Sequence, residues 1–330
     1  VLLVSCLIVS LCWAVARKKW AFVTLIAFFF NWEYLTAVIR FGSARDIPAT
    51  ASAPNRQGKP GGYLTVATYN VHNFGNEITG YPCKEIARYM RQQHVDVLCF
   101  QEFGGNKHFT ADSLRRALSH WQYALIPADD SIRGLLPIAV FSRYPLTGGR
   151  FITYPHSSNC SMLCDIVAGT DTIRLLNNHL QTTGVSRNRK KWERELTTDN
   201  TRREAQAVQD AAETLHENFV KRAAQTDSIC HLAIAAPHPV LVCGDFNSLP
   251  SSYTYRRLSG FLEDGFKTGG HGYMYTYRYG KRMLRIDYAF HSPELECIDY
   301  YSIKMLYIFR HHDSINSNSR STNKKVYIIN

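Results

Sequence analysis

Nowhere among the nine cysteines of this 330-residue chain do two fall at C-x-x-C spacing. That absence argues against zinc ligation or a disulfide framework, and most of the nine, with Cys99 and Cys243 set in apolar strand-like runs, read as small buried hydrophobes. Cys160 and Cys164 leave a pairing, a metal site or a loop-edge coincidence open. Tandem repeats are also missing, which excludes a repeat architecture. Charge is missing from Val1 to Ala16. The chain starts at Val1 rather than Met, inside that apolar run, so a fragment or trimmed product is expected.

What is present is basic. Lys and Arg number 38 against 27 Asp and Glu, a formal net charge of +11. Such a balance favours polyanionic company: phosphate-rich substrate, nucleic acid or an anionic membrane surface. The length leaves room for a domain of roughly 250 residues plus an appendage.

The appendage comes first. After Arg17-Lys18-Lys19 a second apolar run extends from Trp20 to Phe41, interrupted by Asn31, Glu33 and Arg40. The two runs predict transmembrane helices and a membrane anchor over residues 1–41, with a secretory signal peptide (for the first run) and a buried soluble hairpin as alternatives. Trp20, Trp32 and Tyr34 suit interfacial anchoring. The basic triplet predicts a cytoplasmic turn, which places the rest of the chain on the far side. Residues 42–62, rich in Ala, Ser, Pro and Gly, read as a linker. A folded domain is expected to begin near Tyr63.

Within it, several apolar runs end in polar residues. Pro239 to Cys243 reads as a buried strand, and Gly244 lets the chain turn so that Asp245 and Asn247 leave on one side while Phe246 points into the core. An Asx turn is the alternative. Tyr63 to Phe74 alternates as a strand with Asn70 and His72 near its end. Lys84 to Gln93 has helical spacing, and Val95 to Phe100 is a further strand ending in Gln101-Glu102, giving a β-α-β unit. Strands over Leu136 to Arg143, Asp171 to Leu180 and Leu284 to Phe290 bring out His179 and Asp287. Arg187, Arg189, Lys190, Lys191, Arg194, Arg202 and Arg203 form a basic insertion before a long amphipathic helix over Glu204 to Ala224, which suits a solvated face or contact with phosphate or anionic headgroups. The fold class is α/β, with the site built by loops at one sheet edge.

Taken in order, Ala67-Thr68-Tyr69-Asn70, Gln101-Glu102, Asn178-His179-Leu180, Gly244-Asp245-Phe246-Asn247 and Arg285-Ile286-Asp287-Tyr288 resemble the motifs of the endonuclease/exonuclease/phosphatase superfamily, over about Tyr63 to Tyr307. The hydrophobic segments look most like those of its membrane-anchored bacterial members. The resemblance implies a four-layer α/β/β/α sandwich (DNase I-like) and Mg²⁺-dependent hydrolysis of a phosphoester, with Mn²⁺ as a substitute. Glu102 and Asn70 would be metal ligands, Asp245 would activate water, Asn247 and Asn70 would bind phosphate, and His179 would donate to the developing charge. Asp287 would orient a histidine. The substrate would be lipid, cell-envelope or nucleic acid, and the setting the bacterial inner membrane with the catalytic domain outside the cytoplasm.

One motif departs. Members close with Ser-Asp-His-x-Pro, whereas the chain here reads Arg310-His311-His312-Asp313 and then turns Ser/Asn/Lys-rich. Residues 308–330 read as an aberrant polar tail, the product of a frameshift or decayed terminus, with His311 or His312 as candidates to reach the site. A catalytically impaired, ligand-binding protein is therefore the second reading.

Overall fold

The computed structural model describes residues 2–16, 20–40, 64–73, 81–104, 110–127, 134–184, 201–277 and 284–302. The linker 42–62, the basic triplet Arg17 to Lys19, the basic residues 187–194 and the tail with His311 and His312 lie outside the described residues.

The N-terminal runs form α1 (Leu2–Val15), α2 (Ala21–Phe30), α3 (Trp32–Thr36) and the short strand β1 (Ile39–Arg40). The second run is thus three elements rather than the single span its composition predicts. Asn31 interrupts it, with its side-chain amide turned back onto the Ala27 carbonyl at 2.7 Å. At 14 and 10 residues, α1 and α2 reach only about 21 and 15 Å, against a hydrocarbon core of about 30 Å. Among the described residues, no helix is long and apolar enough to cross a membrane. The end of the run enters the folded domain: Ala37 is buried, its carbonyl accepts from Arg285 Nη1 at 2.7 Å, and the Val38 carbonyl accepts from the Met274 amide at 2.8 Å.

The domain continues as β2 (Val66–Asn70), α4 (Tyr81–Gln92), β3 (Val97–Gln101), α5 (Ala111–Ala117), β4 (Tyr123–Leu125), β5 (Ile138–Ser142), β6 (Leu146–Thr153), β7 (Cys160–Ala168) and β8 (Asp171–His179). Then come α6 (Thr201–Ile234), β9 (Val240–Asp245), α7 (Tyr253–Ser259), β10 (Glu263–Asp264), α8 (Gly265–Gly269), β11 (Gly272–Tyr273) and β12 (Asp287–His291). One sheet has the order β2-β3-β5-β4 and another β10-β12-β9-β8-β7-β6, while β1 pairs with β11. Both larger sheets are mixed: β2 with β3 and β8 with β9 are parallel, their other pairings antiparallel.

Strand periodicity divides the core. In β3, Leu98 and Phe100 face α4 and α5, while Val97 and Cys99 face the second sheet. In β9, Leu241 and Cys243 face the first sheet, while Val240 and Val242 pack with Ile229 and Cys230 of α6 and Leu258 of α7. Helices therefore cover both outer faces of two stacked sheets. Cys99, Cys164 and Cys243 fill the seam between the sheets, and the eight cysteines whose side chains are described, all but Cys6, are free thiols. Only Cys12 of these is exposed, so Cys160 and Cys164 pack as hydrophobes.

Candidate active site

Strands β2, β3, β8, β9 and β12 bring their polar ends together. Asn70 closes β2 beside Gln101, the last residue of β3, so Glu102 follows next to it. Asp245 ends β9 in register with both His179 of β8 and Asp287 of β12. The two sheets are stitched beneath this point by Gln101 Nε2, which donates to Thr68 Oγ1 at 3.0 Å and Asn177 Oδ1 at 2.7 Å. Asn177 Nδ2 in turn donates to the carbonyls of Phe100 and Ala139 at 3.1 and 3.2 Å.

At the centre, Asn70 Nδ2 donates to Glu102 Oε1 at 3.0 Å and to Asp245 Oδ2 at 3.1 Å. His179 Nε2 stands 3.7 Å from the first carboxylate and 4.0 Å from the second. The His179 ring is buried, and neither nitrogen has a hydrogen-bond partner among the described residues. Glu102 Oε2 meets His72 Nδ1 at 2.9 Å. Asn247 folds back on Asp245, its amide N–H donating to Oδ1 at 2.9 Å, and its Nδ2 holds the Leu180 carbonyl at 3.0 Å, leaving one amide hydrogen to offer.

Local geometry explains why these residue types are needed. Gly244 has φ of 132°, and a Cβ there would lie 2.0 Å from the Asn178 carbonyl oxygen. His72, Asn73, Glu102 and Asn247 are in the left-handed region at φ of 45° to 50°. Such backbone costs about 1 to 3 kcal/mol per residue and concentrates where a fold aims side chains. Phe246 is fully buried against Tyr288 and Phe290, as its apolar side chain between two polar ones predicts.

Electrostatics separate the carboxylates. Burial alone would raise Glu102, but the Asn70 amide, His179 and His72 together outweigh it and hold the carboxyl below its usual range. Asp245 is pushed up, chiefly by burial, which His179, Asn70 and the Asn247 amide only partly offset. Asp287 is pushed well up by burial and then by Asp245. Its amide donates to Thr276 Oγ1 at 3.0 Å, and among the described residues no histidine is hydrogen-bonded to it.

The structure thus gathers Asn70, Glu102, His179, Asp245 and Asn247, with Asp287 on the adjoining strand. Sequence alone assigns no role to His72, Gln101 or Asn177. His72 is within reach of such a reading from its place two residues after Asn70; the other two are buried polar groups whose partners are distant in sequence.

A profile of the Endonuclease/Exonuclease/phosphatase family matches residues 67–303, which include every residue of this cluster. The chain belongs to that family. No curated protein matches the chain. Among solved structures, truncated TDP2 from Caenorhabditis elegans is similar at 16% identity over 69% of this chain and 83% of its own, with a TM-score of 0.48. A family protein from Bacteroides vulgatus is 15% identical over 71% of this chain and 87% of its own, TM-score 0.47. Another from Beutenbergia cavernae DSM 12333 is 17% identical over 70% of this chain but only 64% of its own, TM-score 0.47, so the chain spans less than two thirds of that structure.

Proposed function

We propose that the chain is a metal-dependent phosphoesterase that hydrolyses a phosphate ester by in-line attack of water. The observation that carries this reading is the Asn70 carboxamide set between the Glu102 and Asp245 carboxylates, with the unpartnered His179 ring beside both. This donor set fits Mg²⁺, a hard cation that takes one or two carboxylates, keeps waters and shares a substrate phosphate. Among the described residues, no group of three or more His, Cys, Asp or Glu is arranged to hold a metal ion, so a cation here would rest on one or two carboxylates, waters and substrate oxygens.

Glu102, assisted by Asn70, would hold the cation, which when bound would neutralise phosphoryl charge. The protein's own residues would do the rest. Asp245, raised by its burial, takes the proton from the attacking water. Asn247, steadied on Leu180, donates its remaining amide hydrogen to a phosphoryl oxygen, and His179 donates to the charge that develops there. A second reading, phosphate binding with little turnover, follows from the sequence after Tyr307, which reads Arg310-His311-His312-Asp313 in place of Ser-Asp-His-x-Pro.

The apolar side chains exposed on α1 and α2, Leu11, Phe22, Phe29 and Phe30 among them, support membrane attachment and hence a lipid or cell-envelope ester as substrate. Hydrolysis of a nitrophenyl phosphodiester with Mg²⁺, compared with the same protein in EDTA and with Asp245→Asn, tests the central reading. Release of nitrophenol that neither treatment reduces would refute it.

A further inference from the structure

The buried face of α6 runs Asn218, Arg222, Gln225, Thr226, Ile229, Cys230 and Ala233, at the spacing of one helical stripe. Its second half is apolar and belongs to the core, but its first half is polar and grips the segments around the site. Gln181, two residues after His179, is held from three sides: its amide by Gln225 Oε1 at 2.7 Å, its carbonyl by Arg222 Nε at 2.7 Å, and its side chain by Asn218 Oδ1 at 2.8 Å. Arg222 Nη1 also reaches Ser248 Oγ at 3.3 Å, and Ser248 follows Asn247.

The guanidinium is an expensive way to make these contacts. Arg222 is 3% exposed, Nη2 has no hydrogen-bond partner, and no carboxylate lies within ion-pair distance among the described residues. A buried cation held by neutral acceptors costs stability that an apolar side chain of similar volume would not. Burial pushes the Arg222 guanidinium down to about 10, with attraction to Asp245 opposing the fall, so it stays charged at neutral pH.

We infer that Arg222 is a positioning residue for the phosphoryl site, tying the segment after His179 to the turn that carries Asn247. The tie closes a ring. Arg222 joins Gln181 to Ser248, Asn247 Nδ2 joins back to the Leu180 carbonyl, and the Leu180 amide donates to the Asp245 carbonyl at 2.9 Å. Asn247 sits on this ring and His179 directly precedes it at Leu180, so Arg222 joins the β8–β9 pairing and the Asn247–Leu180 bond in setting their separation. The inference rests on the hydrolytic reading above.

The test uses Arg222→Lys and Arg222→Ala in the full chain, assayed on a nitrophenyl phosphodiester with Mg²⁺. The expected result is a fall in kcat of about ten- to a hundredfold with KM within about threefold, because misplacement of about 1 Å has that scale. Lysine should recover only part of the loss, since it keeps the charge but not the fork. Guanidinium ion at sub-denaturing concentration should raise the Arg222→Ala rate, whereas sodium should not. A kcat within twofold of the parent in the folded fraction of both variants overturns the inference, as does a change confined to KM. Hydrogen exchange separates this from failure of the hydrolytic reading. In Arg222→Ala, residues 181–183 and 247–249 should exchange faster while β3 stays protected, whether or not the parent turns substrate over. Unchanged exchange in both segments sinks the tie regardless of activity.

Discussion

The two sheets each deliver one carboxylate to the same carboxamide, and they prepare them in opposite ways. Glu102, just past β3, meets the Asn70 amide and the His72 ring, has the His179 ring nearby and is held low; Asp245, at the end of β9, is more deeply buried, carries Glu102 and Asp287 as neighbours, and is pushed up. Asn70 contacts both at nearly the same distance, 3.0 and 3.1 Å, so that amide does not make the difference. The surroundings do. Where environments drive two acids apart, one stays anionic and suits a cation while the other suits proton transfer.

Removing the proton acceptor should have the largest effect. Asp245→Asn is expected to lower kcat about a thousandfold at any Mg²⁺ concentration. Glu102→Gln should instead raise the Mg²⁺ concentration needed for half activity by about ten- to a hundredfold, with partial recovery in excess metal. Metal titrations of the two variants decide the matter: superimposable curves would abolish the division of labour. Gly244→Ala attacks the geometry that presents Asp245. Its Cβ cannot occupy the space of the Asn178 carbonyl, so a loss of about 2 kcal/mol or more is expected by denaturant unfolding.

The smallest effect concerns pH. Asp287 binds its proton more tightly folded than unfolded, because burial and then Asp245 disfavour its charge. Its contribution to stability is therefore present below the ordinary carboxylate pKa and is lost as pH rises through its higher folded value. Asp287→Asn should flatten that part of the stability profile in metal-free buffer. A variant whose midpoint falls with pH as steeply as the parent's would show that Asp287 is already charged in the fold.

The sequence is legible where a polar side chain follows an apolar run. Asn70, Glu102, His179 and Asp245 each end such a run, and a strand end is where a side chain can leave the core without breaking its alternation. Phe246 was readable for the same reason. Arg222 was hidden because its helix looks solvated by composition; only the contacts of Gln181 and Ser248 show that this stripe faces inward. β6 escaped too, since its residues are largely exposed and Gly148-Gly149 breaks the pattern. The second apolar run shows the limit of hydropathy, which reports burial without saying in what: Ala37, near its end, is buried in protein.

That last contact reaches further than the fold. Arg285 is fully enclosed, stacked on Phe266, Tyr288 and Tyr300, paired with Asp264, and holds a carbonyl 248 residues earlier in the chain. Because β1 runs antiparallel to β11, tracing the chain backward from Arg40 leads along Tyr273 and Met274 towards Thr276, whose hydroxyl receives the Asp287 amide. The apolar hairpin is therefore a graft and not a leash. Ala37 and Val38 are thereby built into the same hydrogen-bonded framework, through Arg285 and Met274, that ends at the Thr276 hydroxyl beside Asp287.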